Sequence, residues 1–286
     1  MNMYIKIVRD DKKVFCLGGS YRDDASWGIT EISGIDTIEN VIGKENPANG
    51  DGEKITSERI TSRAIDFIAS VKNRRNNEVE RRNALEFFNP KHGFLLYVTN
   101  GGVTRWIEAT LERFQCQNKP KDRHATMSVA LMCEDPYFYS VDNYGKNIAA
   151  ITGCFGFPYM SGIGKGFKTG IFNFAKKINI ENTGDVDTYT KIIIEADGTV
   201  ENPKIIQNDA FIRILDVLES GDVIEIDMVQ NTIKKNGANC IGKVDRHSAF
   251  SGMVLRIGDN DVSFDADNGN TNMKVVLYYN LKYVGV

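Results

Sequence analysis

Residues Met132–Ser140 read MCEDPYFYS. A thiol, two carboxylates and two phenols stand side by side, so the stretch is either a reaction centre or the end of a folded unit. The residues before it decide. Met127, Val129, Leu131 and Cys133 alternate with Thr126, Ser128, Ala130 and Met132, which predicts a strand whose last inward residue is Cys133. Glu134-Asp135-Pro136 then ends that strand, because proline supplies no ladder donor and disfavours helix just before it. Tyr137, Phe138 and Tyr139 are placed to pack where the chain leaves a domain. Asp135, Pro136, Tyr137 and Phe138 are therefore candidate residues of an interdomain junction, with domains expected over 1–142 and 143–286.

The chemical readings of the stretch are weaker. Glu134 and Asp135 are adjacent in an extended chain and point to opposite faces, whereas a glycosidase pair must flank one bond at roughly 5–10 Å. An inward thiol at a strand end is packing rather than a nucleophile. His92, His124 and His247 stand alone, with no H-x-x-H spacing. The five cysteines, Cys16, Cys116, Cys133, Cys154 and Cys240, form no C-x-x-C pair and suggest no zinc framework. The glycine run 162–170, GIGKGFKTG, matches no phosphate-loop pattern. Asp265-Ala266-Asp267-Asn268-Gly269 lacks calcium-loop spacing and is better read as a hairpin turn. No catalytic residue, metal or cofactor is expected, which favours a structural or binding protein.

Composition agrees. The chain has 286 residues, 42% hydrophobic and 26% charged, as an ordinary globular protein has. A net charge of -3 offers no excess of Lys and Arg to track phosphates, so nucleic acid is not an expected partner. The start, MNMYIKIVRDDKKVF, alternates apolar and charged residues and has no signal-peptide core. No apolar run approaches the roughly 20 residues of a membrane helix. A soluble protein made in the cytoplasm, with no membrane partner, is expected.

Strand signals dominate the first half. YIKIV (4–8) and KVFCL (13–17) flank the turn Asp10-Asp11 as a hairpin, and short strands are expected over 26–41. Residues 43–52, GKENPANGDG, hold no apolar residue larger than Ala and predict an exposed loop or hairpin tip. The segment 55–71 ends as a long strand with Ile65, Phe67, Ala69 and Val71 on its dry face. NEVERRNALEFF (77–88) predicts a helix. Asn76 or Asn77 caps it, Glu78–Arg82 and Arg82–Glu86 pair along it, and Val79, Ala84, Leu85 and Phe88 form its apolar stripe. GFLLYVT and VTRWIEATL around Asn100-Gly101-Gly102 predict a second hairpin.

Beyond 142 the composition shifts. Residues 143–170 are glycine-rich and read as an interdomain connection or an ill-defined first strand pair. Short strands follow at 176–181, 188–196, 211–217, 222–228, 232–235, 253–257, 261–264 and 273–279, with turn residues between them. That spacing predicts a β-sandwich or jelly roll.

Taken in order, the motifs resemble the distal tail protein family of long-tailed phages and prophages of Gram-positive bacteria. They are the loop Gly50-Asp51-Gly52, then Ser57-Glu58-Arg59 with Arg63, and the helix near 77–88. There follow C-x-D-P-Y-F (Cys133–Phe138), N-T-G-D (Asn182–Asp185), S-G-D-V-I-x-I-D (Ser220–Asp227), and a final Tyr279, Tyr283 and Gly285-Val286. The likeness spans nearly the whole chain.

The resemblance implies a mainly β protein. Its N-terminal β-barrel or sandwich carries one helix and a projecting hairpin arm, and a galectin-like β-sandwich follows. It implies a homo-hexameric ring in the virion, at the tail tip or baseplate. Its partners would be the major tail tube protein, a tail-associated hub or lysin protein, and a receptor-binding protein on the outer domain. On this reading Lys44, Asp51, Glu53, Arg59 and Arg63 are candidate subunit-interface residues. The rival expectation is a carbohydrate-binding module that offers Tyr137, Tyr139, Tyr278 or Tyr279 to cell-wall glycan.

Overall fold

The computed structural model describes residues 3–18, 25–46, 51–117, 124–141, 144–147, 150–153, 170–173 and 177–286. The expected boundary at 142/143, most of the expected 143–170 connection with its glycine run, Cys154 and Gly50 of the G-D-G loop lie outside them. The chain is mainly β and forms two compact units, one of Met1–Val141 with Lys282–Val286, the other of Asp142–Leu281.

The first unit contains β1 (Tyr4–Arg9), β2 (Val14–Gly18), β3 (Trp27–Ser33), β4 (Asn40–Glu45), β5 (Lys54–Ile60), β6 (Arg63–Val71), α1 (Asn77–Phe87), β7 (Gly93–Asn100), β8 (Val103–Gln117), β9 (Thr126–Cys133) and β10 (Phe138–Ser140). Strands β8-β7-β1-β2-β3-β6-β9 pair in that order, and β8 pairs with β9 to close a barrel-like wall. Period-2 alternation builds it. Arg63, Ile65, Phe67, Ala69 and Val71 of β6 are buried, as are Met127, Val129, Leu131 and Cys133 of β9. The β7–β8 hairpin turns through Gly101 and Gly102, both at positive φ (58° and 87°), which glycine adopts without strain.

Helix α1 covers part of this core, but not by the expected stripe. Val79 and Leu85 are exposed, whereas Ala84, Phe87 and Phe88 are buried. The helix ends at Phe87, and Phe88 leaves helical geometry (φ -81°, ψ 76°), which lets two consecutive aromatics turn inward. Phe88 lies 5.2 Å from Phe15, 6.1 Å from Phe94 and 4.9 Å from Phe114 between ring centroids. The buried Arg9 donates to the carbonyls of Glu86 (2.8 Å) and Phe87 (3.0 Å), where terminal helix carbonyls need partners. Asn76 does not cap the helix with its side chain. Asn77 Oδ1 instead accepts from the amide of Ala125. Glu78 takes Arg81 and Arg82, while Glu86 pairs with Lys13 rather than Arg82.

The second unit contains β11 (Tyr144–Asn147), β12 (Ala150–Gly153), β13 (Gly170–Asn173), β14 (Lys177–Asn182), β15 (Thr188–Tyr189), β16 (Lys191–Ala196), β17 (Val200–Glu201), β18 (Lys204–Gln207), β19 (Ala210–Arg213), β20 (Val217–Leu218), β21 (Val223–Asp227), β22 (Thr232–Lys235), β23 (Ala238–Asn239), β24 (Val254–Leu255), β25 (Gly258–Asp265) and β26 (Met273–Tyr279). A six-stranded sheet runs β11-β26-β16-β21-β22-β23 and a four-stranded one β14-β25-β18-β19. Ile192, Ile194, Ile224, Ile226, Ile233, Val275 and Leu277 form the dry face of the first. Ile180, Ile205, Ile212, Val262 and Phe264 form that of the second. Two sheets, each with one dry face, are the elements of the expected β-sandwich. Strand β18 is an addition to the expected set. The last strand, β27 (Lys282–Tyr283), pairs with β10 of the first unit.

Candidate functional site

The segment expected as a loop tip stands as a hairpin of its own. Strands β4 and β5 pair from Asn40↔Ile60 to Glu45↔Lys54, with a register shift after Gly43. At Gly43 a Cβ would lie 2.3 Å from Ser57 Oγ, so a larger residue there requires the exposed Ser57 side chain to swing aside. The pair forms a sheet of only two strands among the described residues, and both outer edges remain open. Valines and isoleucines give the hairpin its strand preference, yet they are not covered. Val41 is 57% exposed, Ile42 41%, Ile55 53% and Ile60 38%. The register places Val41 on one face with Gly43 and Arg59, and the shift after Gly43 brings Ile55, opposite Lys44, to the other face with Ile42 and Ile60. A lone two-stranded hairpin is marginally stable in water, and open edges invite another chain.

The candidate interface residues divide between two places. Lys44 and Glu53 form an exposed ion pair on the arm at 2.6 Å. Asp51 is exposed near its tip, and Arg59 lies exposed opposite Val41. Arg63 is elsewhere. It is 4% exposed inside the first unit. Its Nε donates to Pro136 O (2.6 Å), its Nη1 to Gly34 O (2.7 Å) and Ile35 O (2.8 Å), and its Nη2 to Val284 O. The side chain of Arg63 also lies over the Phe138 ring, 5.0 Å from its centroid.

The opening stretch is thus a clamp around the chain's exit. Phe138 is fully buried and pairs with Tyr283, and Tyr139 pairs with Lys282. Asp135 accepts from Tyr137 N (3.1 Å), Tyr139 Oη (2.5 Å) and Lys282 Nζ (2.9 Å). Burial works to raise the Asp135 carboxyl, but the Tyr139 and Lys282 donors hold it below its usual range. Tyr139 stacks on Trp106 at 4.9 Å, and Trp106 Nε1 donates to Ser140 O. Arg105 lies over the Tyr283 ring and donates to Gly285 O.

The other motif residues are also structural. Asn182, buried, donates to Val186 O and Leu255 O while its Oδ1 accepts from Gly184 N, which folds the N-T-G-D turn. Asp222 accepts from Glu219 N and Asn236 Nδ2 and pairs with Lys235. Asp227 accepts from Val229 N and Gln230 N.

Reactive groups are engaged elsewhere. Burial pushes the Cys133 thiol up to about 12, far from a thiolate at neutral pH. His92 bonds Asp10, His124 the Val71 carbonyl and His247 Asp245. Asp267 takes Asn202 and Arg213. Among the described residues no three His, Cys, Asp or Glu side chains gather as a metal site, and no helix is long and apolar enough to cross a membrane.

Comparisons with known proteins follow the same lines. Residues 183–283 match the family model "Siphovirus-type tail component, C-terminal domain". The crystal structure of SPP1 Dit (gp 19.1) is similar with a TM-score of 0.64 and 12% identity. That protein is described as a paradigm of hub adsorption apparatus in Gram-positive infecting phages, and the match covers 96% of this chain and 98% of that one. A chain of the phage P2 baseplate in its activated conformation with Ca aligns over 100% of both chains, with TM-score 0.54 and 12% identity. The corresponding phage p2 baseplate with Sr gives 0.54 at 11% identity. No curated protein matches the sequence. Residues 183–283 are thus similar to the C-terminal domain of siphovirus-type tail components, and along its length the chain shares the fold of the SPP1 Dit structure.

Proposed function

We propose that the chain is a structural subunit of a phage tail tip, assembled by its arm into a homo-hexameric ring in the virion. The observation that carries this is the arm: two strands with open edges and apolar residues on both faces, left uncovered in the single subunit. A second copy is the fitting cover, because a closed ring gives every copy one arm and one receiving surface. The first unit forms the collar that joins the major tail tube protein to the tail-associated hub or lysin protein. The sandwich is the outward docking domain for a receptor-binding protein. Every motif residue described above supports architecture, and the protein acts without catalysis. Negative-stain microscopy of the purified protein tests the reading: a sixfold particle with a central hole is expected, and its loss on deletion of Lys44–Glu53.

A second reading keeps one observation. Of the tyrosines expected to meet glycan, Tyr279 is buried and Tyr139 is engaged by Asp135, but Tyr278 is 42% exposed. Tyr189, on the second unit as well, is 45% exposed. Glycan-array binding that is abolished by Tyr278→Ala would favour a carbohydrate-binding role for that unit.

A further inference from the structure

We propose that Arg63 is a positioning residue that ties the root of the arm to the two tethers of the second unit, so that these three segments order and loosen together. Gly34 and Ile35 lie between β3 and the arm strand β4. Pro136 lies two residues before β10, by which the chain leaves for the second unit. Val284 immediately follows β27, by which it returns. One guanidinium reaches all three, across sequence separations of 29, 73 and 221 residues.

The choice of residue is informative. A buried guanidinium is costly, and here its hydrogen bonds go to carbonyls with no carboxylate among them. An apolar side chain would fill the same volume more cheaply but would hold none of these segments. Only arginine's planar fork of five donors can bond several carbonyls in fixed directions. The neighbouring packing leaves little slack. At Gly34, with φ of 85°, a Cβ would lie 1.9 Å from Ala64 O, so this loop is pressed against β6. Gly285 faces Asp36 and the Ile35 carbonyl at 3.4 Å from its own Cβ position. The two tethers are further joined by Phe138↔Tyr283 pairing and by the Asp135–Lys282 ion pair. A displacement of either tether therefore reaches the arm's root through the Arg63 side chain. The tie itself is a property of one subunit; only its consequence for assembly rests on the function proposed above.

Hydrogen exchange of the full chain, read by mass spectrometry on dispersed subunits, tests the tie. In low denaturant the wild type should lose protection at 34–39, 136–140 and 282–286 with one common denaturant dependence. Arg63→Lys keeps the charge and removes the fork. It should speed exchange about tenfold or more in all three segments while β1 and β7 stay protected. Ile65→Val, a mild change in the same strand, should open none of the three selectively. Independent opening of the three segments in the wild type would overturn the proposal without any variant. So would loosening of one segment alone, or an even loosening of the whole barrel, in Arg63→Lys. Sedimentation of the same samples reads assembly separately: a wild type that never assembles counts against the ring and leaves the tie standing.

Discussion

Replacing Val41 and Ile55 together by serine should dissolve the assembly and leave the subunit folded. The two residues lie on opposite faces of the arm and are 57% and 53% exposed. Covering the exposed parts of Val41, Ile42, Ile55 and Ile60 would remove about 300 Å² of apolar surface from water, or about 8 kcal/mol at 25 cal/mol per Å². Val41 and Ile55 supply about half, so the double substitution should cost about 4 kcal/mol per interface, roughly a thousandfold in dissociation constant. The entropy lost on docking the arm is common to both proteins and largely cancels in the difference. In the lone subunit these side chains already meet water, so thermal stability should change by no more than about 0.5 kcal/mol. Sedimentation velocity over a concentration series reads the first effect, and thermal unfolding of the dispersed subunit reads the second. A variant that assembles at wild-type concentrations would refute the reasoning. So would one whose unfolding midpoint falls sharply, since the arm would then be packed on its own subunit.

Other consequences are equally open to measurement. Phe88→Ala removes a ring packed among Phe15, Phe67, Phe94 and Phe114; it should cost about 3–5 kcal/mol by denaturant unfolding. Gly34→Ala places a methyl against the Ala64 carbonyl at positive φ, and should destabilise the first unit by about 2 kcal/mol or more in the same assay. Asp135 is held below its ordinary carboxylate range by Tyr139 and Lys282. Its contribution to stability is therefore present above that range and lost as pH falls through the depressed folded value, so unfolding of Asp135→Asn should depend less on pH below about 4 than the wild type's. Cys133, buried with its thiol pushed up to about 12, should resist alkylation at neutral pH until the protein is denatured, as thiol-labelling mass spectrometry would show.

The barrel strands and the arm were legible because both follow short-range rules. Met127 to Cys133 and Ile65 to Val71 alternate cleanly, and β-branched residues flank a tip rich in Gly, Pro and Asn. What escaped depends on partners distant in sequence or on local geometry. Strand β18 offers only Ile205-Ile206 between Pro203 and the turn Asn208-Asp209, too short a run to separate from loop. Arg63 reads as an arm residue by spacing, and only folding brings the carbonyls of Gly34, Pro136 and Val284 around it. The break between β5 and β6 falls at Thr61-Ser62, which fit a continuous strand equally well. The inward turn of Phe87 depends on where α1 stops, and helix boundaries are less well encoded than helix existence.

The central claim is that the arm of one copy is covered by another. Mixing isotopically light and heavy protein before assembly, then cross-linking through the arm lysines Lys44 and Lys54, tests it most directly. The account predicts abundant light–heavy peptide pairs that join these lysines to the first unit of a different copy. Cross-links confined to single chains, at concentrations where the protein is assembled, would contradict it.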